Sequence, residues 1–586
     1  MFDILKKIND PADLKKLNID ELKSLADDVR EALFYRLTRK AGHFGSNFGS
    51  VELEIAMHYV FDSPKDKMVY DVSHQAYPHK ILCGRKDAFI DETKFKTITG
   101  YTDPKESVHD VFNVGHTSTA ISLASGLAKS RDLKNEKFNV IAIVGDGSLS
   151  GGEALEGLNV VGGELKTNFI VVVNDNDQFI SEPHGAVSEC LRNLKKTKGQ
   201  SENNIFKCLG FEYKYVENGH DIETLISLFK KVKDIDHPVV LHIKTIKGKG
   251  YEIAEKNAEL WHWSEPFDRE TGKALQSFTD ETYFTVLNNY IMNRAKNDDN
   301  FLLINPSYAM CAELADNQRT SIGKKYIDVG IAEEEAVAMA SGAAKNGTNV
   351  LLMTDASFIL RTLDQMIQDL SLNNSPATIL VHYSSVGCED KTHLGIFTAG
   401  TYSNIPNLKV FAPTCKKELV AMLDWSMKQK EHPTMIFVPR GDVSNRDVKT
   451  DIEPYRHLIE KKGKDIAIIA VAAMFENAIK LVDSIKKELN IDATLINPRI
   501  ISNLDTDTLD TLKKDHKLII TMEDSCRKGG FGQKIADYFS DTNMKVKVFA
   551  PDNLFYDEYD VDKVFSEYKL TNDDILNYIK ENINKN

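Results

Sequence analysis

Runs of apolar, often β-branched residues alternate with amphipathic stretches along almost the whole chain. The clearest of these runs are bounded by turn residues, and they are NVIAIV, NFIVVVN, PVVLHIKT, NVLLMT, ATILVHY, DIAIIAVA and KLIITME. Uninterrupted apolar runs of this length are typical of parallel strands that are buried on both faces, with the amphipathic stretches as the covering helices. The pattern therefore predicts an α/β protein.

Two polar stretches divide the predicted strands into three groups. They lie near residues 268–279 and 441–455, and both contain the turn residues that are typical of linkers. We therefore predict three α/β domains, over residues 1–272, 277–445 and 453–586. Residues 192–204 are rich in Lys, Ser and Asn, which favours a surface loop.

Composition narrows the class of protein. The 586 residues exceed what one hydrophobic core can hold, and a net charge of -14 repels nucleic-acid backbones and anionic membranes, so neither is expected as a main partner. The N-terminal residues lack the apolar core of a secretory signal, and no run reaches the length that spans a bilayer. Seven scattered cysteines without a Cys-x-x-Cys pair disfavour a disulfide framework and a zinc site. We expect a cytoplasmic protein with free thiols.

Polar side chains follow two neighbouring predicted strands. Asp146 lies between two glycines directly after NVIAIV, and Asn176 follows NFIVVV thirty positions later. The carboxyl ends of neighbouring parallel strands share one crevice, and Mg²⁺ prefers carboxylate, amide, carbonyl and phosphate oxygens. Gly-Asp-Gly alone is most often a plain turn. The pairing with Asn-Asp-Asn at the next strand end favours a magnesium and diphosphate site.

A second candidate is Glu333, in the segment YIDVGIAEEEAVAMASGAAKNG. This segment predicts a strand, a turn and an Ala-rich helix, with Glu333 near the start of the helix. Acidic residues at that place compensate the helix dipole, and Glu334 and Glu335 can do the same. The alternative is that Glu333 acts on a cofactor, and the presence of the metal turn favours this role.

Further segments carry a resemblance to a known family. AGHFGSNFGSVEL, YDVSHQAYPHK, NVGHTSTAIS, KTIKGKGYE, FILRTLDQ, THLGIF, VPRGD, NPRIISNLD, TMEDS and GGFG stand in the same order as their counterparts in the 1-deoxy-D-xylulose-5-phosphate synthase family. The chain resembles this family from about Leu22 to the C-terminus. The resemblance implies three doubly wound domains of the transketolase type, of which the first binds diphosphate and Mg²⁺, the second binds the pyrimidine, and the third helps to form a homodimer. It leaves open whether one chain or two build each cofactor site.

The resemblance also implies roles for individual residues. The metal ligands are Asp146, Asn176 and the main-chain carbonyl of Gln178. The residues that bind thiamine diphosphate are His74, His116, Ser118, Thr119, Gly147, Ser148, Asn176, Lys247, Glu333 and Phe358. The catalytic residues are Glu333, His43, His74, His262 and His393. The substrate-binding residues are Arg361, Arg440, Glu389, His382 and Asp355. Glu333 would bond N1′ of the aminopyrimidine and favour the imino tautomer that removes the thiazolium C2 proton.

The implied reaction joins pyruvate to D-glyceraldehyde 3-phosphate, with loss of CO₂, to give 1-deoxy-D-xylulose 5-phosphate.

Five positions depart from the family pattern, and they are Ser73, Asp355, His382, Glu389 and Asp390. Exchange of Arg for His and of Tyr for Asp removes a cation and adds an anion where an acceptor phosphate would lie. Two alternatives therefore stay open. One is a transketolase-like or other acyl transferase with a different acceptor aldehyde, and the other is a non-catalytic cofactor-binding protein, against which the intact Asp146, Asn176 and Glu333 argue.

Overall fold

The computed structural model describes residues 2–276, 280–386, 390–556 and 561–583. The chain folds into two compact units. The first comprises Met1–Thr279 and Gly330–Ala332, and the second comprises Asp280–Val329 and Glu333–Asn586.

The first unit contains a parallel sheet, a short antiparallel pair and surrounding helices. Its strands are β1 (Gly42–His43), β2 (Lys67–Tyr70), β3 (Val140–Gly145), β4 (Phe169–Asp175), β5 (Glu212–Val216), β6 (Pro238–Lys244) and β7 (Trp263–Ser264). Its α-helices are α1 (Pro11–Leu14), α2 (Ile19–Leu37), α3 (Gly45–Gly49), α4 (Val51–Val60), α5 (Tyr77–Lys80), α6 (Asp87–Ile90), α7 (Ala120–Leu133), α8 (Gly152–Val160), α9 (Gly185–Lys196), α10 (Ile205–Cys208), α11 (Ile222–Val232) and α12 (Glu252–Lys256).

The five-stranded sheet of this unit has the order β2-β3-β4-β6-β5, and all of its pairs are parallel. Alternate residues of β3 pack into two different cores: Ile141 and Ile143 into one, Ala142 and Val144 into the other. Helices therefore cover both faces of the sheet, which explains why its strands are continuously apolar. The carboxyl ends of β2, β3, β4 and β6 lie at one edge, where the ligand crevice of such sheets is found.

The second unit contains two sheets. Its strands are β8 (Phe301–Asn305), β9 (Tyr326–Asp328), β10 (Asn349–Asp355), β11 (Thr378–His382), β12 (Lys409–Phe411), β13 (Thr434–Phe437), β14 (Leu458–Lys461), β15 (Asp465–Ala470), β16 (Thr494–Asn497), β17 (His516–Met522) and β18 (Lys545–Phe549). Its α-helices are α13 (Tyr283–Asn297), α14 (Asp316–Ile322), α15 (Glu333–Lys345), α16 (Leu363–Gln365), α17 (Ile396–Tyr402), α18 (Lys416–Lys428), α19 (Met474–Leu489), α20 (Thr506–Asp515), α21 (Phe531–Tyr538), α22 (Val561–Glu567) and α23 (Asn572–Asn582).

A six-stranded parallel sheet has the order β12-β13-β11-β10-β8-β9. The five-stranded sheet that follows in sequence has the order β14-β16-β15-β17-β18, in which β14 alone is antiparallel. Val350 and Leu352 of β10 pack on one face, and Leu351 and Met353 pack on the other. Both faces of this sheet are therefore covered as well.

All seven apolar runs of the sequence form strands, namely β3, β4, β6, β10, β11, β15 and β17, and the predicted α/β fold is confirmed. The loop predicted at residues 192–204 is wrong at its beginning, because α9 continues to Lys196. Leu191 and Leu194 are buried on one side of α9, and the polar residues between them lie on its other side. Within the described ranges, no helix is long and apolar enough to cross a membrane.

Candidate functional site

Three histidines from separate segments meet in the first unit. His43 lies in β1, His74 lies in the turn after β2, and His262 ends the short 3-10 helix Leu260–His262. The ring of His43 lies 5.2 Å from that of His74 and 5.5 Å from that of His262, and the rings of His74 and His262 are 5.3 Å apart, measured between centroids. The structure thus brings together three residues that the sequence analysis assigned to catalysis, and we call them the histidine cluster.

Asn47 fixes two members of the histidine cluster from behind. Its Nδ2 donates to the main-chain oxygens of His43 and His74, both at 2.8 Å, and its Oδ1 accepts from the main-chain N–H of Tyr77 at 2.8 Å. Asn47 is fully buried in α3. The sequence analysis missed this residue, although it lies within a quoted family segment. A buried asparagine usually forms hydrogen bonds to backbone groups. The asparagine within that family segment was the one feature of the sequence that could have indicated such a role for Asn47.

Two members of the histidine cluster, His74 and His262, are uncharged near pH 7. Burial, together with the charge of Lys247, lowers the pKa of His74 to about 3 and the pKa of His262 well below its usual value. The Nδ1 atoms of His74 and His262 are buried and have no hydrogen-bond partner in the described part of the chain. These imidazoles can therefore donate or accept hydrogen bonds to a ligand, but they do not act as permanent cations.

The metal residues proposed from the sequence lie at the ends of neighbouring strands. Asp146 follows β3, Asn176 follows β4, and the main-chain N–H of Asp146 donates to the oxygen of Asn174 at 3.2 Å. Burial, and then the charge of Asp175, raises the pKa of Asp146 well above its usual value. Oδ1 of Asn176 is buried and makes no hydrogen bond to any described residue. The buried carboxyl group of Asp146 and the amide oxygen of Asn176 fit a hard cation such as Mg²⁺, and Gln178 lies two residues farther along the same turn.

A hydrogen-bond network supports this turn, and the sequence analysis did not identify it. Oδ2 of Asp175 lies 2.7 Å from Nε2 of His242, whose Nδ1 lies 2.8 Å from the hydroxyl of Tyr213. Lys195 of α9 donates to Oδ1 of Asp175 at 2.6 Å. Asp175 is thereby held at the end of β4, and the turn that carries Asn176 starts from a fixed point.

Lys247 and Gly147 lie beside the same turn. Nζ of Lys247 donates to the main-chain oxygen of Phe179 at 2.7 Å, and burial lowers the pKa of Lys247 to about 8 while the charge of Asp146 opposes the shift. A Cβ atom on Gly147 would lie 2.8 Å from the ring of Phe179. Glycine is therefore required here for the backbone to approach the ring.

The segment before α7 is tied to the same region. Ser118 has a φ of 74°, and its hydroxyl donates to the main-chain oxygen of Ser148 at 2.9 Å. Asp71 accepts from the N–H groups of Ser118 and Ala120 at 2.8 and 3.0 Å. Thr119 caps α7 without a side-chain cap hydrogen bond. The oxygen of His116 accepts from the N–H of Val72 at 3.3 Å, so His116 is placed next to the turn that holds His74.

Glu333 is the first residue of α15 in the second unit and is buried. Burial raises the pKa of its carboxyl group, and the charge of Arg361 opposes this rise. Nη1 of Arg361 donates to Oε2 of Glu333 at 3.2 Å. The sequence analysis assigned Arg361 to the substrate, and the structure shows that it also contacts Glu333.

Phe358 and His393 contact each other. Their ring centroids are 5.7 Å apart at 76°, and Phe358 also meets Tyr308 edge-on at 5.8 Å. Phe358 immediately precedes the 3-10 helix Ile359–Thr362, which carries Arg361. A residue proposed for the cofactor and one proposed for catalysis thus lie together.

Two of the departures from the family pattern are partners in the sheet. Asp355 ends β10 and His382 ends β11, in register. Oδ1 of Asp355 accepts from the N–H and hydroxyl of Ser357 at 2.9 and 3.0 Å, and burial raises the pKa of Asp355 to about 6. His382 stacks on Phe284 at 5.3 Å, and burial lowers its pKa to about 3. His382 is therefore uncharged near pH 7.

Arg440 and the departures Ser73 and Asp390 make local contacts. Arg440 is half-buried after β13, and its charge opposes a burial-driven rise in the pKa of Asp524 to about 6. Among the other departures, the hydroxyl of Ser73 donates to the oxygen of Val114, and Oδ1 of Asp390 accepts from the N–H of Thr392 at 2.9 Å. Glu389 lies outside the described residues.

Comparison with known proteins places these features in a family. Residues 5–202 and 195–245 match the model "1-deoxy-D-xylulose-5-phosphate synthase", residues 270–445 match the transketolase pyrimidine-binding domain, and residues 456–575 match the transketolase C-terminal domain. A solved transketolase from Campylobacter jejuni subsp. jejuni, at 15% identity and a TM-score of 0.44, is a distant likeness that adds nothing to this assignment.

Several curated proteins named 1-deoxy-D-xylulose-5-phosphate synthase are similar over nearly the whole chain. The protein of Clostridium acetobutylicum is 35% identical and covers 95% of this chain and 96% of its own length. Those of Alkaliphilus oremlandii and Clostridium tetani are 34% and 35% identical and cover 99% and 98% of this chain, and 99% of their own length in both cases. The chain therefore belongs to the 1-deoxy-D-xylulose-5-phosphate synthase family.

Proposed function

We propose that this protein uses thiamine diphosphate to join pyruvate to D-glyceraldehyde 3-phosphate, with loss of CO₂, to form 1-deoxy-D-xylulose 5-phosphate. The observation that carries the proposal is similarity at about 35% identity to synthases of that name over 95% of the chain. The histidine cluster of the first unit, in which His74 and His262 are uncharged, and the buried Glu333 of the second unit support it, because they supply hydrogen-bonding and proton-holding groups in buried surroundings.

Mg²⁺ would be held by Asp146, Asn176 and the carbonyl of Gln178, which present oxygen atoms at one turn. The buried oxygen atoms of Asp146 and Asn176 support this assignment. Lys247 would contribute a cation on the diphosphate side, and Gly147, Ser148, Ser118 and Thr119 would form the surrounding cradle. Thiamine diphosphate held there would supply the nucleophilic carbon and the electron sink that a decarboxylative condensation of pyruvate requires.

Glu333 would hold the proton that activates the cofactor. A buried carboxyl with a raised pKa keeps its proton at a pH where an exposed glutamate has lost it, and Arg361 limits that rise. The N–H groups of the histidine cluster would stabilise negative charge that develops on a substrate oxygen, an effect that is strong where water is excluded. Phe358 would pack against the pyrimidine.

The acceptor site is proposed to rely on Arg440 and not on His382. An arginine keeps its charge at all relevant pH values, whereas buried His382 is neutral, and Asp355 becomes an anion above about pH 6. These features also favour the second candidate, in which the acceptor is an aldehyde without a phosphate. A homodimer is proposed from the family alone, and light scattering would test it.

One experiment tests the function directly. Purified protein is incubated with thiamine diphosphate, Mg²⁺ and pyruvate, with D-glyceraldehyde 3-phosphate or with a panel of unphosphorylated aldehydes, and the products are identified by mass. Efficient formation of deoxyxylulose phosphate would establish the proposal. Pyruvate consumption with preference for an unphosphorylated aldehyde would establish the second candidate. The absence of pyruvate consumption would overturn the proposal and point to a transketolase-like transferase with a ketose donor.

A further inference from the structure

Four buried side chains of the first unit converge away from the histidine cluster. Glu54 and His58 lie on α4, His79 lies on α5, and Cys83 lies in the π-helical turn Ile81–Arg85. Nε2 of His58 lies 2.9 Å from Nδ1 of His79, and Sγ of Cys83 lies 3.8 Å from the first nitrogen and 3.6 Å from the second. We call these four residues the buried ligand cluster.

The distances are close to those of a tetrahedral metal site. Zinc binds imidazole nitrogen at about 2.0–2.1 Å and thiolate sulfur at about 2.3 Å, so tetrahedral ligands lie about 3.5 Å apart for N and S and about 3.3 Å apart for two N. The sulfur of Cys83 is already at nearly the required distance from both nitrogens. The two histidine nitrogens need to separate by only about 0.4 Å to admit the ion.

The ring nitrogen of His79 that faces away from the cluster is hydrogen-bonded as in a metal ligand. Its Nε2 lies 2.8 Å from Oδ1 of Asp110, and Asp110 accepts from Arg85 at 2.7 and 2.8 Å. An ionised carboxylate at Nε2 selects the tautomer with the proton on Nε2, which leaves the Nδ1 lone pair directed at His58 and Cys83. Metal-binding histidines are usually oriented by a carboxylate in this way.

Glu54 is the candidate for a fourth ligand, because it lies beside the group that His58, His79 and Cys83 form. It lies one helical turn before His58, is fully buried, and places Oε2 3.9 Å from Nε2 of His58. Tyr70 donates to Oε2 at 2.7 Å, whereas Oε1 makes no hydrogen bond to the described residues. In the part of the chain that the structure describes, no lysine or arginine pairs with Glu54. A divalent ion would neutralise the combined charge of the carboxylate and a Cys83 thiolate.

We propose that Glu54, His58, His79 and Cys83 form a structural site for a divalent transition metal with the ligand preference of zinc. Two imidazoles and one thiolate favour such an ion over Mg²⁺, which prefers oxygen ligands. Binding releases the thiol proton of Cys83 and the carboxyl proton of Glu54, while the proton on Nε2 of His58 moves to its own Nδ1. Both imidazoles therefore stay neutral, and no oxidation or reduction occurs. The ion would tie α4 to residues 77–85, which directly follow the turn that carries His74.

The full-length protein is first tested without any substitution. It is purified without chelator and dialysed, and its metal content is measured by inductively coupled plasma mass spectrometry. The ion is then removed with a zinc-selective chelator in excess Mg²⁺ and replaced by Co²⁺. The expected results are one zinc ion retained per chain and a near-ultraviolet thiolate-to-cobalt charge-transfer band with strong visible bands of four-coordinate cobalt. Loss of all zinc on dialysis together with absence of the band would overturn the proposal and leave a hydrogen-bonded histidine pair.

Variants then assign the ligands. Cys83→Ser is expected to remove the charge-transfer band, whereas Cys526→Ser, at another buried cysteine, and Cys208→Ser, at an exposed one, keep it. His58→Gln is expected to make the temperature of unfolding insensitive to the zinc chelator, while the wild type loses several degrees. If Cys83→Ser does not fold, the wild-type cobalt spectrum and the His58→Gln chelator test still decide. An unchanged band in a folded Cys83→Ser variant would contradict the assignment.

Discussion

Arg361 donates a hydrogen bond from Nη1 to Oε2 of Glu333 at 3.2 Å, so the proposed activating acid is paired with a cation. Burial raises the pKa of Glu333, and the arginine partly offsets that rise. Burial and the arginine therefore shift the pKa of Glu333 in opposite directions. The arginine favours the ionised carboxylate, which accepts the stronger hydrogen bond, and burial favours the protonated acid, because an ionised carboxylate is costly to bury.

Glu333→Gln is expected to lower kcat by at least about a thousandfold, because the amide cannot exchange the proton that activates the cofactor. Steady-state kinetics with saturating thiamine diphosphate and Mg²⁺ measure the effect, and circular dichroism verifies the fold. The matched control is Glu334→Gln at the next position, which is half-exposed. Equal losses in both variants, or undiminished activity of Glu333→Gln, would contradict the proposed role.

The sequence predicted the sheets better than the site. The apolar runs of β3, β4 and β10 identified the strands because burial on both faces leaves no polar positions to obscure the pattern. The positions of Asp146 and Asn176 directly after β3 and β4 were predicted correctly because strand ends are marked in the sequence, and their role as metal ligands stays a prediction. Loop and helix boundaries were less certain, as the extension of α9 to Lys196 shows, because the polar face of an amphipathic helix has the composition of a loop.

Contacts between segments that are distant in sequence could not be predicted. The bridge from Asn47 to His43 and His74 depends on how α3 packs against the turn after β2. Burial also changes the chemistry of residues whose identity was known. A histidine at position 382 was identified from the sequence, but only its packing against Phe284 shows that it is uncharged near pH 7.

Asp146→Asn is expected to weaken Mg²⁺-dependent binding of thiamine diphosphate by at least about a hundredfold, because a charged ligand of the metal is lost. Without ligands the variant is expected to unfold at a higher temperature than the wild type near neutral pH, since it lacks a carboxyl group whose pKa burial and Asp175 raise well above its value in the unfolded chain. Calorimetric titration and thermal unfolding with and without Mg²⁺ and cofactor measure both effects. Asp177→Asn, at an exposed position of the same turn, is the control. Equal weakening by the control would refute the assignment.

Asn47→Ala is expected to reduce kcat by about tenfold to a hundredfold, because the main chains of His43 and His74 lose their common donor and the histidine cluster shifts. It is also expected to destabilise the fold by about 1–3 kcal/mol, since buried carbonyl groups are left without partners. Ser50→Ala removes a nearby hydrogen bond to the oxygen of Gln75 and serves as the control. If both variants lose stability equally but neither loses kcat, Asn47 does not position the cluster.

Arg440→Gln is expected to raise the KM for D-glyceraldehyde 3-phosphate by about tenfold to a hundredfold, the effect of losing a charged hydrogen bond. The KM for pyruvate should not change. His382→Gln is the matched comparison, and we expect less than about a fivefold change because the buried imidazole is neutral. A larger effect at His382 than at Arg440 would place the phosphate beside His382.

Asp355→Asn tests whether burial keeps Asp355, one of the departures from the family pattern, protonated up to about pH 6. The pKa of Asp355 is about 6 in the folded protein, and about 3.9 is expected in the unfolded chain. Since the folded pKa is the higher one, the stability contributed by the protonated carboxyl is complete below about pH 4 and is lost as the pH rises through 6. The difference between the two pKa values corresponds to a loss of about 3 kcal/mol in the free energy of unfolding at pH 8.

The Asn variant is neutral at every pH, and its Oδ1 can still accept from Ser357. Its unfolding temperature in the ligand-free protein should therefore rise relative to the wild type by several degrees between pH 4 and pH 8. The adjacent His382 titrates in both proteins, so its contribution cancels in the difference. Asp364→Asn, at an exposed acid of the same unit, should show a difference that does not vary with pH. A flat difference for Asp355→Asn would mean that Asp355 is ionised at a normal pH, and the acceptor site would then carry a negative charge throughout the range of the assay.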